Sequence, residues 1–180
     1  MSVTVRRAVI GDAAGILDVI QPYVDDDIVL PIPVYKLYER IRDFYVTEDD
    51  GVITGCGSLM IMWHDLAEIR SLVVRKGCQG GGTGRRIVDA LVEEAKTLGI
   101  ARVFALTFQT AFFERVGFSA VPKEKLPHKV WKDCTFCPKF THCDEIAVEL
   151  VLDTQSDPSV DPPLPLPPDA DLIMPTPVRQ

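Results

Sequence analysis

Residues Glu68 to Leu98, EIRSLVVRKGCQGGGTGRRIVDALVEEAKTL, constrain the fold more than any other stretch. Ser71 to Val74 is a short apolar run with β-branched residues at its end, the pattern of a buried strand. Arg75 to Gly84 is polar and glycine-rich. Apolar residues then recur at Ile87, Val88, Leu91, Val92, Ala95 and Leu98, the spacing of a helix with one buried face, and Gly99 follows as its C-cap. The order is strand, glycine loop, helix. Gly80, Gly81, Gly82 and Gly84 let backbone N–H groups turn towards one point, with no Cβ in the way of a ligand. Those N–H groups stand at the positive end of the helix, so the loop is a candidate anion site, best suited to phosphates. A Walker loop is excluded because no Lys follows Gly82 or Gly84, and a dinucleotide fingerprint is excluded because its third glycine is missing. The spacing that fits is Q-x-x-G-x-G, read as Gln79-Gly80-Gly81-Gly82-Thr83-Gly84, a few residues after a strand ending Leu72-Val73-Val74.

A chain of 180 residues is enough for one domain with its own core. The net charge of −7 argues against nucleic acid and against acidic membrane surfaces as partners. No apolar run is long enough to span a bilayer, and the N-terminus lacks the apolar core of a signal peptide. Five cysteines, three of them crowded between Cys134 and Cys143, do not form a secreted disulfide frame and point to a reducing cytoplasm. The segment from residue 153 to 180 holds eight of the fourteen prolines and has little to bury. The expected organisation is therefore a domain over residues 1–152 and a disordered or polyproline-like tail.

Along the chain, Val3 to Ile10 reads as a strand, and Asp12 as the cap of a helix to about Ile20. Pro31 and Pro33 introduce a second helix, Tyr35 to about Asp43, with Tyr38, Ile41 and Leu37 towards the core. Strands follow at Phe44 to Glu48, Val52 to Trp63 and Leu66 to Val74, with Asp49-Asp50-Gly51 as a hairpin turn. After the central helix come a strand (Ala101 to Thr107), a short helix (Ala111 to Val116), a strand (Phe118 to Val121), a long loop and a last strand (Glu145 to Leu152). Period-two alternation puts Glu68, Arg70 and Leu72 on one side of their strand, and Ile69, Ser71 and Val73 on the other. A carboxylate and an arginine thus face one site. In the long loop, Cys134-x2-Cys137-x5-Cys143 has knuckle-like spacing. It is a candidate structural zinc site, with His128, His142 or Asp144 as the fourth ligand.

The element order and the glycine loop resemble the GCN5-related N-acetyltransferase superfamily. The segments VYKLYERIRDFYV, CGSLMIMWHDLAEIRSLVV, FFERVGF and LPHKVWKDCTFCPKFTHCDEIAV narrow the resemblance to short amino-acid N-acetyltransferases related to N-acetylglutamate synthase. The resemblance implies an α/β (α+β) fold whose mixed, mostly antiparallel sheet is flanked by helices, with two central strands splayed to admit the pantetheine arm of acetyl-CoA. It implies acetyl transfer to L-glutamate or L-glutamine, the first step towards arginine, and makes a homodimer an expectation. Leu72, Val73 and Val74 would hold the pantetheine, and Gln79, Gly80, Gly81, Gly82, Thr83 and Gly84 the diphosphate. Glu68 would take the amine proton. Arg70, Arg42 and Lys129 are the candidates for the acceptor's carboxylate, with Leu30 beside them. Many members place a Tyr in the short helix before a Gly-Phe pair to protonate the thiolate. Phe113 stands there instead; it can pack against coenzyme A but has no proton to give. Two other readings compete: an acetyltransferase for another amine or a protein N-terminus, and a CoA-binding sensor without turnover.

Overall fold

The computed structural model describes residues 3–126 and 143–153. Its elements are β1 (Thr4–Arg7), α1 (Ala13–Asp25), α2 (Val34–Glu39), β2 (Phe44–Asp49), β3 (Val52–Ile61), β4 (Leu66–Val74), α3 (Thr83–Thr97), β5 (Arg102–Thr107), α4 (Thr110–Arg115), β6 (Ser119–Val121) and β7 (Ile146–Val151). The strands form one sheet in the order β1-β2-β3-β4-β5-β7-β6. Every neighbouring pair is antiparallel except β4 and β5, which run parallel. The expected mixed, mostly antiparallel sheet is therefore present, with helices on both faces. No helix among the described residues is long and apolar enough to cross a membrane.

Several expected elements differ in extent: β1 stops at Arg7, α1 runs on to Asp25 and β3 stops at Ile61. Residues Ile10–Asp12 form a 3-10 turn, and Asp12 does not cap α1: its carboxylate turns back to accept from Val9 N–H (2.8 Å) and from Arg6. The second helix stops at Glu39 and continues as a 3-10 turn, Ile41–Asp43. Leu37 and Ile41 then share the buried stripe, and Tyr38, rotated about 100° from Leu37, faces solvent at 47% exposure. The hairpin between β2 and β3 turns on Asp50 and Gly51, both at positive φ (49° and 79°), which suits the twist of the flanking strands.

A difference inside β4 matters most for the site. Cys56 pairs with Val73 and Ser58 with Arg70, so two residues of β4, Ser71 and Leu72, stand opposite Gly57 alone. Ser71 takes a left-handed conformation (φ 51°) to make this bulge. The bulge shifts the alternation by one. Glu68 and Arg70 keep one face, but Leu72 crosses to the α3 side with Ile69, and Val73 joins the cluster under α1. The expectation that Leu72 shares a face with Glu68 is corrected by this extra residue.

Two cores result. One packs Ile87, Val88, Leu91 and Ala95 of α3 against Leu59, Ala67, Ile69 and Val103. The other packs Ile16, Val19 and Ile20 of α1 with Leu37 and Ile41 against Phe44, Val46, Cys56 and Val73. The parallel pair β4–β5 is joined only from Leu66↔Arg102 to Glu68↔Phe104. Beyond Glu68 the strands part into a V. Its closed end is clamped by Arg102, whose guanidinium meets Asp65 (2.8 Å) and Glu149 (3.3 Å), and by the Asp65 carbonyl, which accepts from the N–H groups of Ala101 and Arg102.

Candidate active site

The V opens into a cleft of about 2310 Å³, well above the ~300–1,000 Å³ of a typical small-ligand pocket. Its long side is the free edge of β4. Arg75 N–H donates to Thr54 O on β3 (2.7 Å), and peptide groups alternate along a strand. The N–H and C=O of Val74 therefore point away from β3 into the gap, where the Val74 carbonyl meets the Tyr23 hydroxyl. Those of Val73 point back to β3. The edge can accept an amide-bearing chain as an added strand.

At the open end of that edge lies the glycine loop. Gly80 and Gly82 adopt positive φ (83° and 79°), and Gly82 is the N-cap of α3. Among the described residues the first N–H of α3 to find a carbonyl is that of Arg86, which donates to Gly82 O (3.1 Å); the N–H groups of Gly80 to Arg85 donate to no protein acceptor. The first turn of α3 contains no acidic residue to offset the helix dipole. Instead Arg85 borders the cleft from that turn, where the dipole alone disfavours a cation. Sequence reasoning missed Arg85; a basic residue at a helix start is the signal that points to it. A Cβ on Gly84 would lie 3.3 Å from the Phe112 ring, so this glycine lets the aromatic pair close over the helix start. Gln79, Gly80, Gly82, Thr83 and Gly84 line the cleft, and Gly81 lies beside them in open space. Phe113 also reaches the cleft but is 4% exposed, its ring packed edge-on between Phe112 and Phe118.

At the narrow end of the V, Glu68 is 7% exposed and is the last residue of β4 paired with β5. Arg70 Nε lies 3.7 Å from its carboxylate, and Arg70 also donates to Met60 Sδ (3.2 Å). Both side chains share a face with Ser58 and Met60, their partners on β3. Leu30, Lys36 and Arg40 also line the cleft; Arg42, a candidate from sequence, is not among the lining residues. Lys123, Cys143 and Glu145 line it as well. Lys123 Nζ meets the Cys143 carbonyl (3.0 Å) and thiol (3.4 Å), and the thiol lies 3.7 Å from Glu145. Burial pushes the Glu145 carboxyl above its usual range, partly offset by Cys143, Lys123 and Arg70. Sequence reasoning missed Lys123 and Glu145 because the loop that brings them to β4 has no periodicity to read.

Lys129, Cys134 and Cys137 lie outside the described residues. Cys143, the third expected zinc ligand, is occupied with Lys123 and Glu145. The described residues hold no group of three His, Cys, Asp or Glu able to bind a metal. Cys56, Cys78 and Cys143 are all free thiols, and burial pushes Cys56 up to about 12, which leaves it unreactive.

Known proteins are similar to this chain in sequence and fold. The profile of the acetyltransferase (GNAT) family matches residues 19–118. An N-acetyltransferase of Chlorobaculum tepidum is 39% identical over 144 residues, covering 80% of this chain and 93% of its own. The amino-acid acetyltransferase of Mycobacterium tuberculosis is 40% identical over 120 residues, 65% of this chain and 68% of that protein. N-acetylglutamate synthase from Neisseria gonorrhoeae, solved with coenzyme A and N-acetyl-glutamate, superposes with a TM-score of 0.76 at 29% identity over 85% of this chain, which spans only 36% of that longer protein. A splayed parallel pair, a glycine loop at a helix start and these matches agree, and the chain belongs to the acetyltransferase (GNAT) family.

Proposed function

We propose that the protein transfers the acetyl group of acetyl-CoA to the α-amino group of an amino acid, with L-glutamate or L-glutamine as acceptor, as the first step of arginine biosynthesis in the cytoplasm. The observation that carries this is the position of Glu68: a buried carboxylate at the vertex of the V, beside an arginine, on the face left open between α2 and the Lys123 flank. The names of the relatives from Mycobacterium tuberculosis and Neisseria gonorrhoeae support the acceptor class.

In this scheme the diphosphate lies on the amides at the start of α3, and the pantetheine pairs with the edge at Leu72 and Val74. The thioester then reaches the vertex. Glu68 takes a proton from the acceptor's ammonium group, directly or through water, and the amine attacks the thioester carbon. A main-chain N–H on the β4 edge meets the oxygen as it gains charge. The C–S bond breaks, the amide forms, and the thiolate leaves; Phe113 supplies no proton to it. Arg70 holds a carboxylate of the acceptor.

Glu68→Gln keeps the size of the side chain and removes the base. It is expected to lower kcat at least ~10-fold with CoA affinity nearly unchanged, read by thiol release and calorimetry. A variant with the parent rate would remove Glu68 from the mechanism. Turnover should be compared across glutamate, glutamine and polyamines; tight CoA binding with no turnover on any of them would favour a sensor.

A further inference from the structure

Tyr23, near the end of α1, takes no part in the acyl-transfer scheme, yet it borders the cleft. Its hydroxyl donates to Val74 O at 2.5 Å and accepts from Gln79 Nε2 at 2.7 Å. Val74 belongs to the free edge of β4, and Gln79 is the residue that opens the glycine run. One hydroxyl therefore bonds to both halves of the cleft, each more than fifty residues away in sequence. The connecting residues are tied to α1 as well: Arg75 pairs with Asp18 and Lys76 with Asp26, each at 2.7 Å, and Lys76 Nζ lies 5.8 Å from the Tyr23 ring centre. Those pairs are largely exposed and contribute little on their own. The Tyr23 hydroxyl is the directional link.

Its chemistry fits the edge. A carbonyl oxygen has two lone pairs. Tyr23 takes one on Val74 and leaves the other for the N–H of an amide-bearing arm laid along β4. The amide of Gln79 is at the same time held by Tyr23, so the side chain fixes where the glycine run begins. A ligand carrying both an amide arm and a diphosphate is a single molecule, and its two subsites must be held at a fixed separation before it arrives.

We infer that Tyr23 is a positioning residue of the cosubstrate site: by holding the Val74 carbonyl and the Gln79 side chain together, its hydroxyl sets the distance between the pantetheine edge and the diphosphate loop. This rests on the assignment of the cleft to coenzyme A. Tyr23→Phe removes the hydroxyl and keeps the ring. The Kd for CoA by calorimetry and the KM for acetyl-CoA are both expected to rise about five- to tenfold, while kcat and the acceptor's KM move less than about twofold. Gln79→Leu should give a rise of about threefold, and the double variant should be no weaker than Tyr23→Phe, because the two changes break one shared bond.

Unchanged CoA affinity in Tyr23→Phe, a fall in kcat without a change in KM, or additive losses in the double variant would each overturn the inference. Should Tyr23→Phe fail to fold, unchanged affinity in Gln79→Leu would overturn it equally. A parent protein that does not bind CoA would instead refute the cosubstrate assignment itself.

Discussion

Adding one methyl group at Gly57 tests the packing that places α3. Gly57 stands opposite the bulge on β4, beneath α3. A Cβ there would lie 2.9 Å from Ile87 Cγ2, 3.1 Å from Leu72 Cδ1 and 3.3 Å from Leu91 Cδ1. Carbon atoms in contact prefer about 3.5–4.0 Å, so all three are too close by several tenths of an ångström. Ile87 and Leu91 are fully buried and have no free space to enter. Overpacking of this kind costs about 1–3 kcal/mol, and the stiffer unfolded chain of an alanine variant returns ~0.4–1 kcal/mol. The net loss expected for Gly57→Ala is about 1–2 kcal/mol, or a Tm lower by roughly 2–8 °C for a chain of this size. Urea and thermal unfolding read the loss. Because α3 must move outward and takes its first-turn amides with it, the KM for acetyl-CoA should rise as well. Gly81→Ala is the control: its Cβ meets nothing within 4 Å, and stability should stay within ~0.5 kcal/mol of the parent. If Gly57→Ala proved as stable as the parent, β3 and α3 could not be in such close contact.

Asp12 accepts from Arg6 at 2.6 and 2.9 Å, and this guanidinium holds its carboxyl below the usual range. A carboxylate whose pKa falls on folding adds stability above the unfolded value of about 3.9, and that stability disappears as pH drops through the folded value. Asp12→Asn should thus lose about 1–2 kcal/mol at neutral pH and converge with the parent in strong acid; a gap independent of pH in urea titrations would place its origin elsewhere. Gly82→Asp puts a carboxylate at the helix start and should weaken CoA binding at least ~10-fold; calorimetry showing parent affinity would move the diphosphate to another site. Arg102→Leu leaves Asp65 and Glu149 facing each other without their cation and should cost about 3–5 kcal/mol. A thermal midpoint near the parent's would show that this clamp does not hold the V closed.

The sheet and the glycine loop are legible in the sequence because both follow local rules. Ile87, Val88, Leu91 and Ala95 repeat at helical spacing, and all four are buried. Gln79 to Gly84 needs no partner in sequence to be recognised. The bulge at Ser71 is not legible: alternation predicts a regular strand, and only pairing with β3 leaves room for an extra residue. For the same reason alternation assigns Leu72 to the wrong face, while Glu68 and Arg70, before the bulge, fall on the correct one. The resemblance suggests Arg42 for the acceptor's carboxylate, whereas Lys36 and Arg40 are the basic residues of that segment that line the cleft. Helix α2 ends at Glu39, and Arg42 sits in the 3-10 turn that follows, outside the residues lining the cleft. Tyr23 and Glu145 act across more than fifty residues or from a loop, and no periodicity marks such contacts.

The parting of β4 from β5 leaves a strand rim that lines the cleft rather than an outer edge of the sheet. If the cosubstrate pairs with this rim as proposed, the rim recognises what charged and spent carrier have in common, since the amide arm is the same with or without its acetyl load. Spent carrier should therefore linger and compete with fresh. How much of the protein stands ready to work is then governed by the proportion of loaded to unloaded carrier around it, more than by the amount of either.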